Sequence, residues 1–250
     1  MKLLRKIFKY KNILLRQFFS QAKIKKFYNH NYTVYFDKKK DNQLSKLSNL
    51  HKTNKGYILD QNDSNSLNIK SCHNYSDFYS DIFFNNRKDI KNFLEIGLGT
   101  NNTKMPSNMG ENGVPLASLK AWRDFFENAN IYGADIDRDI LKNDERIKTF
   151  YVDQTDPEKI QTMFKNIGVE KFDIILEDGL HEYNANICFF ENAIKYLSDN
   201  GFYIIEDVYF KDKKKFINYF KNYDYNYLIV DIYHNKNIAN NCIVIVRKNV

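Results

Sequence analysis

From residue 91 onward the chain alternates short apolar runs with longer stretches of helical period. The runs at 92–97, 131–135, 147–152, 172–177, 202–206, 227–233 and 242–247 read as buried strands. Between them, 115–127, 137–142, 156–167, 184–197 and 210–222 read as helices. Strands that alternate with helices predict a parallel sheet covered on both faces. The last two strands are joined only by His234 to Asn241, too short and too polar for a crossover helix, so they predict an antiparallel hairpin at one edge. The expected fold is α/β: a Rossmann-like doubly wound sheet with a terminal antiparallel β-hairpin.

The first third of the chain has a different pattern. Over residues 3–19, Leu4, Ile7, Phe8, Leu14, Leu15 and Phe18 share one helical face opposite Lys and Arg. Such a helix packs on its own domain, on a second subunit to form a homo-oligomer, or along an anionic membrane surface, the last through residues 1–27. Residues 37–70 are rich in Lys, Asn, Ser and Asp and read as a polar connector with short elements, and Tyr75 to Phe84 as a short helix leading into the core. The chain thus divides into a basic N-terminal helical extension with connector, 1–75, and a cofactor-binding domain, 76–250.

Charge sharpens this division. The net charge is +7, but residues 1–36 hold nine Lys and Arg and no Asp or Glu. The remainder is close to neutral, with 29 Lys and Arg against 31 Asp and Glu, which argues against nucleic acid as a partner of the core. Cys72, Cys188 and Cys242 have no metal-like spacing and read as free thiols in a reducing, cytoplasmic setting. No apolar run approaches the roughly 18 residues of a membrane span, and Lys9, Lys11 and Arg16 break any signal-peptide core.

The chemistry gathers where the strands end. Phe93-Leu94-Glu95-Ile96-Gly97-Leu98-Gly99 closes an apolar run with a carboxylate and two glycines, as a strand does beneath a nucleotide-like cofactor. The next strands end in Asp135 and Asp137, in Asp153 and Gln154, in Glu177, Asp178 and His181, and in Glu206 and Asp207. In an open α/β sheet, ligands bind beyond these carboxyl ends. Asp135 suits a two-oxygen grip on ribose hydroxyls, a device that an NAD(P)-dependent oxidoreductase would share. However, Asn102 stands where a third glycine would complete the dinucleotide fingerprint, and a polar loop, 100–114, separates the glycines from the next helix. That loop, with Met105 and Met109, is a candidate lid. His30, His51, His73 and His234 have no carboxylate beside them in the sequence and are assigned structural roles. Trp122 reads as core, and Tyr209 either packs or lines an acceptor pocket.

Together with Leu116 to Arg123, these motifs resemble the class I S-adenosylmethionine-dependent methyltransferases. More narrowly they resemble the sugar O-methyltransferases of the macrocin and mycinamicin type and related capsular-polysaccharide enzymes. The resemblance covers residues 90–210 and is strongest at Asp178-Gly179-Leu180-His181. It implies that Glu95, Gly97, Gly99, Ser118, Asp135, Asp153, Gln154 and Glu177 form the S-adenosylmethionine site. It implies a divalent metal, usually Mg2+, at Asp178 and Asp207 with Glu206, and His181 as general base with Asp178 beside it. The implied reaction is methyl transfer to a hydroxyl of a small-molecule sugar, nucleotide-linked such as a GDP-heptose, for capsular or surface polysaccharide. The alternatives are the oxidoreductase above and a methyltransferase acting on another small molecule.

Overall fold

The computed structural model describes residues 31–34 (backbone only), 42–56, 73–234, 237 and 240–249. The helix expected over 3–19 and the surface contacts expected of 1–27 lie outside the described residues. The strands are β1 (Asn31–Val34), β2 (Asn92–Ile96), β3 (Asn130–Asp135), β4 (Ile147–Tyr151), β5 (Phe172–Glu177), β6 (Leu197–Ile205), β7 (Tyr225–Ile232) and β8 (Cys242–Lys248). The helices are α1 (Gln43–His51), α2 (Tyr75–Phe83), α3 (Ala117–Phe125), α4 (Pro157–Ile167), α5 (Tyr183–Ala193) and α6 (Lys213–Phe220).

The strands form one sheet in the order β1-β7-β8-β6-β5-β2-β3-β4. All neighbours run parallel except β8, which is antiparallel to both β6 and β7. The predicted terminal hairpin is therefore present, with β8 inserted between β6 and β7, but it does not form the edge, because β1 lies outside β7. The strand β1 adds a parallel edge beside β7 that the apolar pattern did not reveal. Chain order reverses between β2 and β5, which pair directly, so the crevice that such sheets use for ligands opens at Ile96 and Glu177.

Two apolar layers sandwich the sheet, and strand alternation decides which residue enters which. Leu94, Ile96, Ile175 and Ile205 face one layer with Phe164, Phe189, Phe190 and Phe216. Phe93, Ile174, Leu176 and Ile204 face the other with Leu44, Tyr79, Trp122 and Phe126. Trp122 is core, as expected, stacked near Phe126 and edge-on to Tyr79. Leu44 of α1 and Tyr79 of α2 share this second layer, so described residues on both sides of position 75 pack together.

Two local expectations change. The segment 137–142 is only a 3-10 turn, Arg138–Ile140, because Asp137 bends back to accept from the Asp139 N–H and Leu141 is already extended. Its apolar residues Ile140 and Leu141 are adjacent and offer no helical stripe. The strand β6 starts at Leu197, with its pairing to β5 shifted between Phe172 and Ile174. The helix α4, by contrast, has clear boundaries: the Asp156 side chain accepts from the Glu158 and Lys159 N–H groups, Pro157 opens the first turn, and Gly168 closes the last at φ 71°.

Candidate active site

The strand-end carboxylates separate onto two faces of the sheet. Glu95 continues the Phe93 face, Asp178 follows Leu176 and Glu206 follows Ile204, so all three lean toward α1, α2 and α3. Glu177 follows Ile175 onto the other face.

On that other face every oxygen is provided for. Glu177 is fully buried and accepts from Gln154 Nε2 (2.9 Å), Asn186 Nδ2 (2.7 Å) and the Tyr203 hydroxyl (2.8 Å). Burial lifts its carboxyl to about 8 against the pull of these donors. Gln154 Oε1 in turn accepts from the Leu180 N–H at 2.7 Å, and a Cβ at Gly179 would lie 1.9 Å from it. Glu177 and Gln154 thus brace the Asp178–His181 turn from beneath. Asp153 is half-buried, and its Oδ1 accepts from the Thr155 N–H and hydroxyl in a local turn.

The α1–α3 face is different. Glu95 is fully buried, and neither carboxylate oxygen makes a hydrogen bond of good geometry. Burial raises its carboxyl to about 7, with Lys55, 3.2 Å away, and the nearby Ser118 hydroxyl pulling it down. Glu206 accepts from Tyr79 at 2.7 Å and from the Lys55 ammonium. Burial pushes it well above the carboxylate range, with Lys55 opposing and Asp178 adding to the rise. Lys55 also contacts Asp178 Oδ2 at 2.6 Å. Burial alone would lower the lysine, but Asp178, Glu206 and Glu95 hold it well above its ordinary value. One ammonium therefore meets three carboxyl groups.

Asp178, His181 and Asp207 offer ligand atoms that all lie within 4.8 Å of one another. His181 Nδ1 is 3.9 Å from Asp178 Oδ1, and Nε2 is 3.8 Å from Asp207 Oδ2, both beyond hydrogen-bond reach. The Nδ1 atom is buried without a hydrogen bond. His181 and Asp207 are both held at positive φ, 59° and 54°, unusual for residues with side chains. Burial pushes Asp207 up, but His73 and His181, then the Tyr75 hydroxyl and Lys55, bring it below the usual range. Glu206 turns toward Lys55 and Tyr79 and does not join this triad.

Toward the glycines, Asp135 accepts from the Leu98 N–H (2.6 Å) and the Asp137 N–H (2.8 Å), tying the glycine turn to β3 while each oxygen keeps a further lone pair. Gly97 has φ 88°, and a Cβ there would lie 2.1 Å from the Asp178 carbonyl oxygen. The loop 100–114 folds over this turn. The Met109 N–H donates to Thr100 O, the Met109 side chain fills the space a Cβ at Gly99 would need, and Ser107 Oγ donates to Leu180 O. Tyr209, two residues after Asp207, is substantially exposed, so it does not pack into the core.

Three residues escaped sequence reasoning. Lys55 came from the supposed connector. His73 was set aside, yet its Nε2 lies 3.3 Å from Asp207 Oδ1 and its ring stacks on Tyr75. Tyr75 donates to Asp207 at 2.8 Å. His51 also has a carboxylate after all, Asp124 at 2.6 Å, away from this cluster. These partners lie 73 to 151 residues apart in the chain, so no local spacing announces them. The signal that was available is strand alternation, which separates Glu177 from Glu95, Asp178 and Glu206.

No family model matches the chain. Demethylmacrocin O-methyltransferase of Streptomyces fradiae is 30% identical over 139 residues, covering 56% of this chain and 33% of that protein. Mycinamicin VI 2''-O-methyltransferase of Micromonospora griseorubida is 32% identical over 138 residues, covering 55% and 32%. The MycE methyltransferase of the mycinamycin biosynthetic pathway, solved in complex with Mg and SAH, superposes with a TM-score of 0.53 at 26% identity, covering 71% of this chain and 40% of that one. The chain is similar to the macrocin and mycinamicin sugar O-methyltransferases. It has the class I methyltransferase fold, as its motifs implied. The matches span about a third of the length of the curated relatives.

Proposed function

We propose that the chain is an S-adenosylmethionine-dependent O-methyltransferase acting on a sugar hydroxyl. The observation that carries this reading is His181, with its unpaired Nδ1, set between Asp178 and Asp207 beside the switch point where Glu95 and Gly97 stand. When bound, S-adenosylmethionine would supply an electrophilic methyl group and a divalent ion would acidify the acceptor hydroxyl. The residues fit both. Glu95, whose oxygens make no hydrogen bond of good geometry, suits the ammonium of the methionine part, and Gly97 and Gly99 admit no side chain above the turn. Asp135 offers its remaining lone pairs to ribose hydroxyls, and the loop 100–114 excludes water from above. Asp178 and Asp207 supply the hard oxygen ligands that Mg2+ prefers.

Methyl transfer needs alignment and a nucleophile. His181 would take the proton of the acceptor hydroxyl and so make the hydroxyl oxygen nucleophilic toward the methyl group that S-adenosylmethionine would supply. Asp178 and Asp207 stabilise the imidazolium that results. A nucleotide-linked sugar is the acceptor we favour, because the basic run over residues 1–36 suits an anionic carrier. Its test is a screen of nucleotide-sugars with S-adenosylmethionine, read by product mass. A product one methyl group heavier supports the reading; methylation only of sugars without the nucleotide overturns the favoured acceptor.

A further inference from the structure

Lys55 is a buried cation with no counterpart in the motifs that carry the family resemblance, which begin at residue 90. Its position is fixed from both sides. The Lys55 carbonyl accepts from the Ser76 N–H and the Asn54 carbonyl from the His73 N–H, both at 2.9 Å. Gly56 beside it packs so closely on α1 that a Cβ would lie 2.6 Å from Ser48 Cβ. The ammonium is thereby delivered between Glu95, Asp178 and Glu206, with the lysine side chain 4% exposed. Asp178 belongs to two sets at once: Oδ2 meets Lys55 while Oδ1 faces His181. Glu206 is directed to Lys55 and away from the triad by the same contact.

We propose that Lys55 is an intramolecular counter-ion that competes with a divalent cation for Asp178 and Glu206. The ammonium occupies oxygens that the cation would otherwise use, and its charge repels the cation in a buried, weakly screened place. The site stays organised while empty, and the cation is held loosely enough to exchange. Lys55 is a positioning residue in this scheme: it acts through the carboxylates and does not touch the acceptor. The inference rests on the reading that Asp178 and Asp207 hold a divalent ion.

The test is calorimetric titration of Mg2+ and Mn2+ into the full chain and into Lys55→Met and Lys55→Arg, with S-adenosylhomocysteine titrated separately into each. Competition predicts that Lys55→Met binds the ion at least about tenfold more tightly, while Lys55→Arg stays within about threefold of the unsubstituted chain. Equal or weaker ion binding by folded Lys55→Met overturns the proposal and leaves the metal reading standing. Failure of all three forms to bind an ion overturns both, while the homocysteine titration reports on the methyl-donor reading alone. Should Lys55→Met not fold, lysine-labelled unsubstituted protein decides. A buried ammonium gives a slowly exchanging nitrogen signal, and competition requires the Lys55 signal to shift as Mg2+ is added. An unmoved signal overturns the proposal.

Discussion

Glu177 and Glu95 stand on the neighbouring strands β5 and β2, one residue out of register, and are equally buried. Glu177 has three neutral donors within 2.9 Å and braces a turn. Glu95 has no well-formed hydrogen bond and shares one lysine with two other carboxyl groups. Burial raises both, so the size of that effect does not tell them apart. What does is the partner set. The lone pairs of Glu177 are filled by fixed neutral donors, whereas Glu95 has only a shared lysine and no well-formed hydrogen bond, the arrangement expected of a group that keeps capacity for a ligand.

The contrast breaks most sharply at His181. His181→Ala is expected to lower turnover by roughly a hundredfold or more, with S-adenosylhomocysteine binding retained. Near-normal turnover, measured by product mass, would remove the base assignment. Chelation of divalent ions is expected to suppress turnover and leave the melting curve of the unsubstituted chain little changed, because Lys55 keeps the carboxylates paired. Unaltered turnover after chelation rejects the metal role of Asp178 and Asp207.

On the opposite face the effect falls on stability. Glu177→Ala strands the donors of Tyr203, Asn186 and Gln154 and is expected to cost about 1–3 kcal/mol in denaturant unfolding. The same carboxyl also makes stability depend on pH. The Glu177 carboxyl rises from 4.5 to about 8 on folding, so the native state binds the extra proton between those values. Its contribution to stability is full below about 4.5, declines as pH rises, and is lost above about 8. Glu177→Gln should flatten that part of the stability profile; an unchanged slope would assign the pH dependence elsewhere.

The fold was readable because its signals are local. Apolar runs such as Phe172–Glu177, the glycine-ended β2 and the short polar link before β8 each fix an element within a few residues. The 137–142 stretch misled because apolar residues were present without helical spacing. The carboxylates and His181 were readable for the same local reason, since each ends a strand. Their electrostatics were not: Lys55, His73 and Tyr75 reach the site only through packing of α2 and the turn after α1 on the sheet. Counting alternate residues back along β2, β5 and β6 separates the two faces without any structure, but it cannot say that a lysine 151 residues before Glu206 will stand between them.

The most direct measurement is calorimetry of S-adenosylhomocysteine with the unsubstituted chain, Glu95→Gln and Glu177→Gln. Binding is predicted for the unsubstituted chain, weakened by about tenfold or more in Glu95→Gln and within about threefold of unsubstituted in Glu177→Gln. Equal losses in the two variants, or tight binding of NAD in place of the homocysteine, would contradict the assignment of the ligand to the Glu95 face.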